Sequence, residues 1–336
     1  MRFLPGTAPC RSHVHTGASA PQHRARSRAV FTSTRRILIL QRWVFTSTRR
    51  ILILQRCGAA WARPCGLRPP AGTLQVRHRQ GGSVRILAIH AHPDDIEFLM
   101  GGTLALLAPA HELTLATFTN GDCGSATHTR EEIGRIRPAE AAAAAALLGA
   151  RYVCLGCHDL EVDFRDELRR ETAELLRRVA PDVVFTASPQ DYMVDHEMAS
   201  ALVRDACFSA PVPLYATGRP EAAPPLAKVP YLLYADPIEL TDYFGRPVEP
   251  MFVVDVSLTM DTKTAMLACH ASQREWLRKH HGIDAYIETM KHWSAARGAL
   301  IGAPYAEGFR QHLGHSFPRG DILAALLGDK TRRLQP

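Results

Sequence analysis

The first 83 residues contain no lysine, aspartate or glutamate, although they carry fifteen arginines. No apolar run among them exceeds four residues (Ile37 to Leu40 is one), which excludes a membrane span and a signal-peptide core. The whole chain has a formal net charge of +7, so the remaining residues carry 7 − 15 = −8. A basic extension is joined to a mildly acidic body, and the overall basicity says nothing about the body's ligands. The extension also lacks the interleaved aromatics and glycines of a nucleic-acid reader, so no nucleic-acid partner is expected. Disulfide spacing is missing as well: five of the eight cysteines lie in the body without a paired framework, and a cytoplasmic location is the expectation.

What the extension does contain is a duplication. "VFTSTRRILILQR" fills 30–42 and recurs unchanged at 44–56. Two unchanged copies are too few for a stacked repeat architecture and read as a recent duplication. Arg-rich, acid-free sequence fits an organellar transit peptide, or translated upstream sequence before a native start near Val84. Residues 1–83 are therefore set apart as a basic extension, with the folded body expected over 84–327 and a tail over 328–336.

From Val84 onward, short β-branched runs alternate with helical stretches: "VRILAIHA", "ELTLATF", "RYVCL" and "DVVFTA" as strands, with amphipathic segments between them. This alternation predicts a Rossmann-like α/β fold: a mostly parallel sheet with helices on both faces, in one domain with C-terminal additions. A helix is expected over 139–148, with Pro138 near its start and Gly149 as its stop. "SAPVPLYATGRPEAAPPLAKVP" (209–230) reads as a long loop, and the pocket residues that choose the substrate are expected within 209–250. "YLLYA" and "MFVVDVS" are further strands, followed by helices across about 260–300.

Ligands of open α/β sheets bind beyond the carboxyl ends of the strands. Three segments fall there: His92–Asp95, Thr119–Cys123 and Ser188–His196. His92 and Asp95, three residues apart at a strand-to-helix junction, join His196 as a candidate metal set. One carboxylate and two imidazoles suit Zn²⁺ and leave positions open for water, with Fe²⁺ as the alternative. Asp94 would then stand beside that water as the general base. The bland alternatives are that the acid pair caps a helix and that His196 is a satisfied core histidine.

"AHPDDIEFLMGG" (91–102) resembles the signature of the PIG-L/LmbE family of zinc-dependent N-deacetylases, and the likeness extends over about 84–327. "TNGDCG" (119–124), "RPAEAAAAAALLG" (137–149), "DYMVDH" (191–196) and "CHASQ" (269–273) are similar to further family segments. The resemblance implies an LmbE-like fold and hydrolysis of the acetamide of an N-acetylglucosamine-type amino sugar or its conjugate. Alternatives within the family are an amidase on a sugar-thiol conjugate and a catalytically impaired sugar-binding member. Carried over, His92, Asp95 and His196 bind zinc, Asp94 is the catalytic base, and Arg137 lies near the sugar. Asn120, Tyr192 and His270 are further substrate-binding candidates. Met193 stands where the family has a histidine thought to stabilise the oxyanion, which Tyr192 or His270 would have to replace. Leu99 stands where many members have glycine. The expected partner is a small amino-sugar substrate, and a homo-oligomer stays open. "CLGCH" (154–158) has the form of a haem attachment site, but its position predicts a strand end and turn.

Overall fold

The computed structural model describes residues 82–274 and 285–334. The basic extension therefore lies outside the described residues, save for its last two positions. Five parallel strands form the first part of the sheet: β1 (Arg85–His90), β2 (Glu112–Thr119), β3 (Arg151–Cys157), β4 (Val183–Thr186) and β5 (Tyr231–Ala235). Antiparallel strands β6 (Phe252–Asp255), β7 (Ala306–Gln311) and β8 (Thr331–Arg333) complete the order β3-β2-β1-β4-β5-β7-β6-β8. The expected α/β class and mostly parallel sheet are present. Alternate residues of β1 feed opposite faces: Ile86 and Ala88 enter one apolar cluster, Leu87 and Ile89 the other. Burial on both sides explains why β1 reads as an apolar run.

The helices are α1 (Asp95–Leu107), α2 (Arg130–Ala146), α3 (Asp166–Val179), α4 (Val194–Ser209), α5 (Met260–Ala268), α6 (Ala285–Ala299) and α7 (Ile322–Leu327). No helix among the described residues is long and apolar enough to cross a membrane. α1 approaches the sheet closely at Gly102, where a Cβ would lie 2.7 Å from Val256 Cβ. The second glycine of "GG" is therefore a packing requirement.

Two boundaries differ from the expectation. α2 begins eight residues before Pro138 at a capping box, in which the Thr129 side chain accepts from Glu132 N and Glu132 accepts from Thr129 N. That cap satisfies the first turn, so the helix runs through Pro138 although the proline can donate no hydrogen bond to Gly134. Gly149 ends the helix region in the left-handed conformation, as expected. The second difference is β8, which extends the sheet past residue 327 by pairing with β6. Its "TRR" has no apolar alternation, because an edge strand is held by backbone hydrogen bonds.

Candidate metal centre

β1 has β2 on one side and β4 on the other, so chain direction across the sheet reverses there. Such a switch point opens a crevice at the carboxyl ends of the strands. The turn after β1 delivers His92, Asp94 and Asp95; α4, which follows β4, delivers His196. A cavity of about 350 Å³ opens there, lined by these four residues together with Cys123, Arg137, Asp159, Leu160, Tyr192, Met193 and Gln273.

Three donor atoms converge. His92 Nδ1 is 3.2 Å from His196 Nε2 and 3.3 Å from Asp95 Oδ2, and the third separation, His196 Nε2 to Asp95 Oδ2, is 3.5 Å. Ligands roughly 2.0–2.2 Å from a tetrahedral cation are separated by about 3.3–3.6 Å. The triangle has the dimensions of one face of such a tetrahedron.

The opposite nitrogens are each held by a carboxylate. His92 Nε2 is 3.1 Å from Asp195 Oδ2, and His196 Nδ1 is 3.1 Å from Asp191 Oδ2. A carboxylate on the far nitrogen fixes the ring and leaves the near nitrogen's lone pair free, the usual support of metal-binding histidines. Asp195 also accepts from Leu160 N at 2.7 Å, and Asp191 from Tyr192 N at 2.7 Å. Sequence reading missed both supporting aspartates. Asp195 was visible in "DYMVDH", but a carboxylate's partner is not written in its own segment.

His90 is a second neighbour of Asp95 and makes an alternative triad with Asp95 and His196. Its Nδ1 lies 2.6 Å from Asp95 Oδ2. That is a hydrogen-bond length, shorter than two tetrahedral ligands of one cation would show. His90 thus braces the carboxylate, and His92 has the better geometry for a ligand.

The electrostatics also favour a cation. Asp94, Asp95, Asp159, Asp191 and Asp195 surround the site, with Arg137 as the one guanidinium among its described lining residues. Burial works against a charged His92, yet Asp195 and Asp95 push its imidazole up to about 10. Burial would raise Asp95, but His196, His90 and His92 hold it well below the usual carboxylate range. Asp94 moves the other way: burial pushes it up, only partly offset by Arg137.

Asp94 occupies the left-handed region with φ 108°, an uncommon backbone for any residue with a side chain. Three contacts hold it there. Arg137 Nη2 lies 3.3 Å from Asp94 Oδ2 and donates to Pro93 O at 2.6 Å, while Tyr286 donates its hydroxyl to Asp94 Oδ2 at 2.5 Å. Arg137 itself fits because residue 121 is glycine at φ 74°; a Cβ there would sit 2.6 Å from Arg137 Cδ. The turn "TNGDCG" thus makes room for the arginine. Tyr286, 192 residues from Asp94 in sequence, had no signal that reasoning from motifs could use.

Of the other candidates, Tyr192 lines the cavity and meets the His196 ring edge-on at 5.4 Å. Asn120 does not line it: its amide packs against Gly134 of α2. His270 is also absent from the wall, being fully buried with Nε2 3.5 Å from Glu97. The same two segments reach the cavity through other residues, Cys123 and Gln273. The expectation that 209–250 supplies the pocket is not met either, since no described residue of that segment is among the lining residues. "CLGCH" is the end of β3 and its turn, with His158 Nδ1 bonded to Asp122.

Comparison with known proteins bears on the fold and the sequence around this crevice. The family model for PIG-L, GlcNAc-PI de-N-acetylase, matches residues 87–207. The diacetylchitobiose deacetylase of Thermococcus kodakarensis is 25% identical over 240 residues, 67% of this chain and 82% of that protein. The 4-oxalmesaconate hydratase of Pseudomonas putida is 28% identical over 199 residues, 56% of this chain and 73% of that one. Among solved structures, the N,N'-diacetylchitobiose deacetylase from Pyrococcus horikoshii superposes with a TM-score of 0.58 at 25% identity, covering 70% of this chain and 88% of that one. With the signature residues gathered around one crevice of an LmbE-like fold, residues 87–207 carry the PIG-L match and the chain is similar to the PIG-L/LmbE deacetylases in sequence and fold.

Proposed function

We propose that this protein is a metal-dependent N-deacetylase that hydrolyses the acetamide of an N-acetylglucosamine-type sugar or its conjugate, releasing acetate and the free amine. One observation carries the reading: three donor atoms converge within 3.5 Å of one another beside a buried aspartate, and both imidazoles are fixed from behind by carboxylates. His92 Nδ1, Asp95 Oδ2 and His196 Nε2 would hold Zn²⁺, or Fe²⁺ as the alternative. Bound there, the metal supplies a water of lowered pKa and polarises the amide carbonyl.

Asp94 then serves as the base. Its carboxylate takes a proton from the attacking water as the C–O bond forms, and returns it to the amide nitrogen as the C–N bond breaks. Arg137 and the Tyr286 hydroxyl keep that carboxylate in one orientation. Asp159 Oδ1, buried and without a hydrogen-bond partner, is available to accept from a sugar hydroxyl. Met193 offers a thioether at the cavity wall in place of the family's histidine, so the oxyanion loses one donor. Loss of one such donor costs about 10²–10³ in rate. The five cysteines of the described residues are free thiols, which supports a reducing, cytoplasmic location.

A second reading, hydration, draws on the Pseudomonas putida relative named as a 4-oxalmesaconate hydratase. Its carboxylate substrate would need free cations, whereas Arg137 is already engaged with Asp94, Pro93 O and Gly121 O. The amide reading is therefore preferred. The test is acetate release from N-acetylglucosamine and its glycosides by wild type and Asp94→Ala, beside consumption of 4-oxalmesaconate. Equal acetate release by both proteins, or turnover of the carboxylate alone, would refute the deacetylase.

A further inference from the structure

The cavity has two kinds of wall. Beside the carboxylates and histidines, Leu160, Tyr192 and Met193 also line it. Leu160 is 69% exposed and Tyr192 67%, unusual for large apolar side chains that line a cavity. Neither is loosely held. Leu160 adopts φ 67°, a strained conformation for a branched side chain, and its N–H donates to Asp195 at 2.7 Å. The N–H of Tyr192 donates to Asp191 at 2.7 Å. The two carboxylates that orient His92 and His196 thus also fix the backbone of an apolar lip. With the backbone of both residues already fixed, a ligand covering this pair has only side-chain freedom to remove.

Building on the proposed deacetylase, we infer that Leu160 and Tyr192 form an aglycone subsite that selects amino-sugar conjugates whose aglycone presents an uncharged apolar face. The volume supports this. About 350 Å³ is at the small end for ligand cavities, room for one sugar-sized unit, so the rest of a conjugate must lie across the lip. The charges support it too. Arg137 is the one lysine or arginine among the described lining residues, and its guanidinium is taken by Asp94, Pro93 O and Gly121 O. An anionic aglycone such as an inositol phosphate finds no free cation among the described lining residues.

The experiment uses the full chain loaded with Zn²⁺ and three probes: N-acetylglucosamine, its phenyl glycoside, and N-acetylglucosaminyl inositol phosphate. The kcat/KM for acetate release is expected to favour the phenyl glycoside over either of the others by about tenfold or more, the scale of one small apolar contact. Leu160→Asn with Tyr192→Ser is expected to bring that ratio below about threefold; asparagine tolerates the left-handed backbone, and both sites are exposed enough to spare the fold. Calorimetry of the phenyl glycoside on Asp94→Asn, with and without the two lip substitutions, reads the subsite independently of turnover. Equal kcat/KM for the three probes, or a ratio and affinity unmoved by the lip substitutions, would overturn the subsite and leave the deacetylase standing. Lip-dependent binding without acetate release from any probe would support the subsite and sink the deacetylase instead.

Discussion

Replacing Asp195 tests the support behind His92 without touching a proposed ligand. The carboxylate is 2% exposed; Oδ2 accepts from His92 Nε2 at 3.1 Å and Leu160 N at 2.7 Å, and Oδ1 from Val162 N at 3.4 Å. In Asp195→Asn the amide oxygen takes the doubly used Oδ2 position, because the NH₂ is tolerated best against the long contact to Val162 N. The imidazole then keeps its orientation but loses an anion on its far nitrogen. Loss of such outer support costs about 10–100-fold in metal affinity, and one tenfold step is about 1.4 kcal/mol. Asn is expected near the tenfold end. Asp195→Ala is expected near the hundredfold end, since it frees the ring to rotate and strands the Leu160 N–H in a partly buried position. The assay is competition for Zn²⁺ against a chelator of known affinity, with the melting temperature of the metal-free protein measured beside it. Wild-type zinc affinity in Asp195→Ala would refute the idea that Asp195 orients a ligand.

Further outcomes follow from other contacts. Asp94→Asn should keep the metal while acetate release falls by about 10²–10⁴, the usual worth of a general base; retained activity in zinc-loaded protein would contradict that role. Met193→His should raise kcat by about tenfold or more by restoring a donor whose loss typically costs about 10²–10³, and an unchanged kcat would mean another group already stabilises the oxyanion. Gly121→Ala should lower stability by more than about 1 kcal/mol in denaturant titration, because φ 74° and the 2.6 Å approach of Arg137 Cδ both oppose a side chain. Lys263→Met breaks a buried ion pair with Glu307, 2.7 Å long with both partners nearly inaccessible, and should cost about 3–5 kcal/mol by the same method.

Much of this architecture was legible because the central parallel strands β1, β4 and β5 are buried on both faces and so write apolar, β-branched runs. β7 and β8 were not, since "AEGFRQ" and "TRR" mix charges with apolar residues and owe their place to antiparallel pairing. The start of α2 was hidden by Pro138, which outweighed the capping box at Thr129 in a reading by residue type. At the site, the ligand residues are local to two strand-end turns, and switch-point geometry brings such turns together. The supporting contacts are long-range. Tyr286 reaches Asp94 from α6, Asp195 meets His92 across 103 positions, and Asp159 comes from the turn after the edge strand. His270 and Asn120 lie off the cavity wall for the complementary reason: a polar residue in a motif can also serve the packing behind a site.

The most direct measurement is the metal content of the purified protein by mass spectrometry after repletion with Zn²⁺, for wild type and His196→Ala. About one zinc per chain in wild type, and little in the variant, is what a His92–Asp95–His196 site predicts. Metal-free wild type, or equal zinc in both proteins, would mean that the convergent side chains are only a hydrogen-bonded cap at the start of α1.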